Sequence, residues 1–167
     1  CMKYYKAHET MPKSGFTPDA DFPVINIEKG MLGLSLKASQ VDEGLNIIAI
    51  DAGERTNVIP GEARATLKNA KGLEEKIALA LKKHDIRAEY SVSGDEIGLT
   101  VYGKGGHAAY PEKADNAIGR LLILLKELGA KGAVLNLADR IKNEHDGKSL
   151  GIKLSDVQSG ELTLNLG

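Results

Sequence analysis

A single cysteine, Cys1, stands among 167 residues, so no internal disulfide can form and the composition suits a reducing cytoplasm. Surplus charge of either sign is also lacking. The 22 Lys and Arg oppose 23 Asp and Glu, for a net charge of -1. A protein that grips nucleic-acid phosphates needs a basic surplus or stripe, so this balance excludes that class. Long apolar runs are missing too. The most apolar segment, Leu121-Leu122-Ile123-Leu124-Leu125, has five residues inside a charged helix, far short of the roughly 20 that span a bilayer. There is no low-complexity tract, internal repeat or long linker. The chain shows no initiator Met and no signal-peptide pattern, and it stops at Leu164-Asn165-Leu166-Gly167 as if within a strand. Both ends read as cut from something longer.

What is present fits a soluble globular class. Hydrophobic residues make up 42% and charged residues 27%, enough for one domain with a core or two small lobes. Residues 1–30 differ in character from the rest: a helix-like opening, then a loop marked by Pro12, Gly15 and Pro18. Phe22 to Ile27 reads as a short strand. Met31 to Lys37 alternates, with Leu32, Leu34 and Leu36 on one face. Leu45 to Ile50 is almost wholly apolar, which suits a central strand covered on both sides. Glu62 to Lys68 alternates again, with Ala63, Ala65 and Leu67 together.

Helical spacing returns with Leu73, Ile77, Ala80, Leu81 and His84. Arg87–Val92 and Glu96–Tyr102 form a strand pair around Ser93-Gly94-Asp95. A second helix starts near Asp115, its expected N-cap, and buries Ile118, Leu121, Leu122, Leu125 and Leu128. A third runs from Ala133 to about Asn143, and Gly151–Leu154 and Glu161–Leu166 read as two more strands. Strands joined by short turns imply an antiparallel sheet with two or three helices packed on one face. The fold class is α+β.

Familiar catalytic patterns are absent. None of the four histidines, His8, His84, His107 and His145, has a partner at metal-ligand spacing, and no HExxH motif occurs. No GxSxG elbow offers a serine nucleophile, and the glycines at 103–106 lack dinucleotide-loop spacing. His84, at the last turn of a helix, suits a structural role; His8 and His145 lie in charged, solvated stretches. His107 alone has a backbone built around it. Val101-Tyr102-Gly103-Lys104-Gly105-Gly106-His107-Ala108-Ala109-Tyr110-Pro111 ends a strand in three glycines and presents one imidazole, as a ligand site or simply as part of a Gly-rich turn. Asp19, in Thr17-Pro18-Asp19-Ala20-Asp21, stands in a stiff turn before a strand, where a solvated carboxylate is the plain alternative. Asn57, between two strands, either caps its turn or donates its NH2 to a ligand. Two such donors, Asn57 and His107, from loops of one sheet are what a carbonyl oxygen gaining negative charge requires.

Taken together, Asn57 with Val58 and Pro60, the Gly105-Gly106-His107-Ala108 setting, and Phe16-Thr17-Pro18-Asp19-Ala20-Asp21-Phe22-Pro23 resemble one family. The chain is similar over essentially all its length to the dipeptidase V-like (Xaa-His dipeptidase, carnosinase-type) dinuclear zinc metallopeptidases, kin to acetylornithine deacetylase and succinyl-diaminopimelate desuccinylase. The resemblance implies a lid domain, residues 31–167, inserted in a catalytic domain to which residues 1–30 form a lead-in. It implies a metal-ligand role for Asp19, a substrate contact for Asn57 and oxyanion stabilisation by His107. Two zinc ions, or manganese or cobalt, would serve the intact enzyme. The family's HxD segment, bridging carboxylate, Glu-Glu pair and C-terminal histidine ligand have no counterpart here. No metal is therefore expected to bind stably to this chain alone, and the chain alone is expected to be inactive. The implied partners are a dipeptide with a free N-terminus and the catalytic domain of the same polypeptide, with no nucleic acid and no membrane. A monomer in the cytoplasm is expected over a homodimer, the rival reading being a non-catalytic dimerisation or interaction module.

Overall fold

The computed structural model describes residues 2–16, 23, 25–35 and 44–167. The chain divides into two compact units, residues 1–30 and 31–167. The first carries helix α1 (Met2–His8), exposed along its length, where the His8 ring stacks on Tyr4 at 4.1 Å between centroids.

The second unit runs β1 (Ile47–Ala52), β2 (Val58–Ile59), β3 (Glu62–Lys68), α2 (Leu73–Lys83), β4 (Arg87–Ser93), β5 (Glu96–Tyr102) and β6 (Gly106–His107). It continues through α3 (Ala117–Glu127), α4 (Ala133–Ile141), β7 (Ser155–Asp156) and β8 (Gly160–Glu161). Four strands form an antiparallel sheet in the order β1-β3-β5-β4. Since β5 lies between β3 and β4, the β3–α2–β4 crossover is split by the strand that follows it.

The alternation in β3 and β5 decides which face is buried. Their register sets Ala63 opposite Val101, Ala65 opposite Leu99 and Leu67 opposite Ile97, and all six are buried. Small residues on β3 leave room for larger ones on β5. Over this face pack Leu73, Ile77 and Ala80 of α2 and Leu121, Leu122, Leu124 and Leu125 of α3. Each fully buried leucine contributes about 1.5–3 kcal/mol relative to exposure, so this layer supplies the main stabilisation of the unit. The opposite face is polar, with Glu62 paired to Arg64, and Tyr102 donating to Glu89 at 3.1 Å beneath the Arg87 guanidinium.

The α+β architecture expected from the sequence is present, and several of its parts are placed differently. β1 is an edge strand rather than a central one, with Ile48 and Ile50 exposed. The helices settle over β3 and β5, leaving β1 at the margin. Residues 31–35 and the described residues 23 and 25–27 form no strand; the remainder of Phe22–Ile27 and Met31–Lys37 lies outside the described residues. The cap of α3 is Asn116 rather than Asp115: Asn116 is extended, and its Oδ1 accepts the Ile118 N–H at 2.9 Å. Asp115 instead takes the Arg120 guanidinium at 3.0 Å. The tail strands shrink to the two-residue pair β7–β8.

Candidate functional site

The glycines before His107 serve close backbone approach. None of Gly103, Gly105 and Gly106 has a positive φ. A Cβ on Gly103 would overlap the Asp115 carbonyl, and one on Gly105 would stand 3.3 Å from the Ile59 carbonyl oxygen. This closeness lets Lys104 and Asp115 exchange two backbone hydrogen bonds, at 2.8 and 2.9 Å. The chain leaving β5 is thereby drawn against the start of α3, and His107 emerges just beyond.

β2 and β6 form a separate two-stranded ribbon in which Val58 faces His107 and Ile59 faces Gly106. The Ala108 N–H donates to the Asn57 carbonyl at 3.0 Å. In an antiparallel ladder the pair next to such a bond is the non-hydrogen-bonded one, so Val58 and His107 turn their own carbonyls away from each other. The His107 carbonyl accordingly accepts the Tyr110 N–H at 3.0 Å. Asn57 and His107 thus stand on facing sides of this ribbon, one register step apart, rather than on loops of the main sheet: Val58 is the residue opposite His107, and the link to Asn57 is through its backbone carbonyl. The cause is the β3–β5 register: Glu62 pairs with Tyr102, so whatever precedes β3 and follows β5 emerges at one place.

Both side chains are exposed. The Nδ1 of His107 accepts the Ala109 N–H at 3.1 Å. A backbone N–H can only donate, so the neutral ring carries its proton on Nε2 and presents an N–H donor outward. Tyr110 lies beside it, ring centroids 6.4 Å apart, with the Lys113 ammonium 4.6 Å from the centre of the Tyr110 ring. Sequence reasoning passed over Tyr110 and Lys113; their only signal was their place just after His107. The arrangement offers hydrogen-bond donors and a cation, which suits an oxygen bearing or gaining negative charge.

The other sequence candidates fall elsewhere. Asp19 lies outside the described residues. His84 caps α2, and its Nε2 meets the Glu127 carboxylate at 2.9 Å. His8 bonds the Tyr4 carbonyl through Nδ1 at 2.8 Å. Among the described residues no three His, Cys, Asp or Glu side chains come together as a metal site.

A groove of about 550 Å³ opens between α3, α4 and the tail. Its charged rim is largely satisfied from within the protein. Lys83 at 2.6 Å and His84 bind Glu127, Lys126 pairs with Asp139, and Ser149 donates twice to Glu144. Hydrogen bonds from Lys83 and then His84 hold the Glu127 carboxyl below its usual value. Those from the Ser149 hydroxyl and N–H do the same for Glu144.

Comparison with known proteins bears on the domain type. Residues 95–167 match the family model of the peptidase dimerisation domain. Over its full length the chain is 33% identical to "Putative dipeptidase YtjP" of Bacillus subtilis, covering 38% of that protein. It is 31% identical to a similarly named dipeptidase of Staphylococcus saprophyticus, again over all of this chain and 38% of the relative. With a Staphylococcus aureus counterpart, identity is 31% over 99% of the chain and 38% of the relative. The chain therefore spans less than two fifths of the length of these relatives. The resemblance holds at the level of an M20-type peptidase dimerisation, or lid, domain, and the names of these relatives go no further than dipeptidase. No described helix is long and apolar enough to cross a membrane.

Proposed function

We propose that this chain, which carries a peptidase dimerisation domain at residues 95–167, is the lid of a cytoplasmic metal-dependent dipeptidase acting on dipeptides with a free N-terminus. The observation that carries the reading is the His107 loop: glycine-backed, exposed, and holding Nδ1 as an acceptor so that Nε2–H points outward. In this role His107 donates to the scissile carbonyl oxygen as it gains negative charge, and the Asn57 amide contacts bound substrate. Closure of the lid brings both to the reacting centre and excludes water. The metals, zinc or alternatively manganese or cobalt, belong to residues other than the described ones, with Asp19 as a proposed contributor. Residues 1–30 are the lead-in from the catalytic domain and 31–167 the lid.

The test is His107→Ala in the full-length parent. A loss of about a hundredfold or more in kcat with metal content intact is expected, and an unchanged kcat would sink the oxyanion role. The 167-residue chain alone is expected to be inactive, and dipeptide hydrolysis by it in the presence of zinc would contradict that.

A second reading rests on the open edge of β4, where Tyr90 and Val92 are 39% and 44% exposed, in a domain type described as one of dimerisation. Edge strands pair readily with a second copy. Light scattering on the parent decides: a monomer favours the lid alone, and a tight dimer lost in Val92→Lys favours pairing through β4.

A further inference from the structure

A ribbon of two residues per strand has too few ladder bonds to hold itself in place, yet β2–β6 is what presents Asn57 and His107. Besides the burial of Ile59, it is supported by a chain of amides reaching across the fold. Asn165 Nδ2 donates to the Val58 carbonyl at 3.2 Å, across 107 positions of sequence. That carbonyl is the one turned away from β6, so it is free of the ladder and open to an outside donor. Asn165 is itself held: Asn116 Nδ2 donates to its Oδ1 at 3.2 Å and to the neighbouring Leu166 carbonyl at 2.6 Å. Asn116 is in turn locked as the cap of α3, and the next residue, Ala117, donates its N–H to the Pro60 carbonyl at 3.0 Å. Both asparagines are half-buried, and the Asn116 bonds are partly shielded from solvent, whereas the Asn165–Val58 bond is exposed.

We propose that Asn165 and Asn116 are positioning residues, forming an amide relay that fixes the β2–β6 ribbon, and with it Asn57 and His107, against the N-terminus of α3. The relay touches no substrate; it acts through the Val58 backbone. Its catalytic consequence rests on the lid reading above, whereas its structural consequence does not.

Two variants separate the bonds. Asn165→Asp keeps an oxygen for Asn116 but loses the donor to Val58, and Asn165→Ala loses both. In the 167-residue chain, amide hydrogen exchange at Ala108, whose N–H bonds Asn57, is expected to speed up about fivefold or more in either variant. Exchange at Leu99 in the middle of β5 should stay unchanged. In the full-length parent, kcat should fall by a similar factor with KM little altered, and the His107 ring signals should broaden or split. Unchanged exchange at Ala108 overturns the proposal. So does equal acceleration at Leu99, which would make Asn165 a general fold contact. Faster exchange at Ala108 with unchanged kcat upholds the relay and counts against the hydrolytic role of His107 instead.

Discussion

The imidazole Nδ1 of His107 accepts the backbone N–H of Ala109 at 3.1 Å. This two-residue contact selects one tautomer, because the accepting nitrogen cannot also carry a proton. At a pH where the ring is neutral, long-range nitrogen–proton spectra of the chain should show the proton on Nε2. Replacing Ala109 by proline, which has no N–H, should let the Nδ1–H form appear. A wild-type ring already protonated on Nδ1 contradicts the outward-donor geometry.

Gly103→Ala is expected to destabilise the chain by about 1–3 kcal/mol, the usual range for forcing extra volume into packed structure. The new methyl would meet the Asp115 carbonyl, backbone that cannot step aside cheaply. Gly98→Ala is the control, since its Cβ would stand 3.5 Å from the Ser91 hydroxyl in ordinary contact, and it should change stability by less than about 0.5 kcal/mol. Urea denaturation of the two variants measures the difference, and equal effects would remove close approach as the reason for this glycine.

Leu121 is fully buried on α3 against the sheet. Truncating it to alanine removes its burial and leaves a cavity, with an expected cost of about 2–5 kcal/mol. The same change at Leu79, which is 69% exposed on α2, should cost less than about 1 kcal/mol. Thermal or urea unfolding compares them.

Acid should loosen the junction of α2 and α3. Hydrogen bonds from Lys83 and His84 lower the Glu127 pKa below its ordinary 4.5. A carboxylate with a depressed folded-state value adds stability that is present above the unfolded value and is lost as pH falls through the folded one. Unfolding measured from neutral pH downward should therefore lose stability in the acid range below 4.5. Glu127→Gln should flatten part of that loss while slightly lowering stability at neutral pH. Glu144 and Asp146, also held below their ordinary values by Ser149 and by Lys153, keep the remainder. An identical acid profile in Glu127→Gln would exclude this pair as a contributor.

Local pattern made the core of this protein legible. The period-two alternation in Glu62–Lys68 and Glu96–Tyr102 and the helical spacing of Leu73, Ile77 and Ala80 identified buried faces that the structure confirms, because side-chain direction follows from backbone period alone. The apolar Leu45–Ile50 misled: a continuous apolar run does not say whether neighbours cover both sides, and β1 turned out to be an edge. Asp115 is the expected cap, but its carboxylate is taken by Arg120, and the cap is Asn116. Asp19 lies outside the described residues, so its place in a site rests on the resemblance alone.

The sequence by itself singled out His107 by the glycines before it, since the spacing of Gly103, Gly105 and Gly106 is a local property of the chain. Only the tertiary structure decided what stands beside it. The antiparallel register of β3 with β5 carries Asn57 to His107, the Ala109 N–H chooses the tautomer, and Asn165 ties their ribbon down from the far end of the chain. Each of these joins residues through backbone groups, which every amino acid shares, so residue type alone carries no record of the pairing.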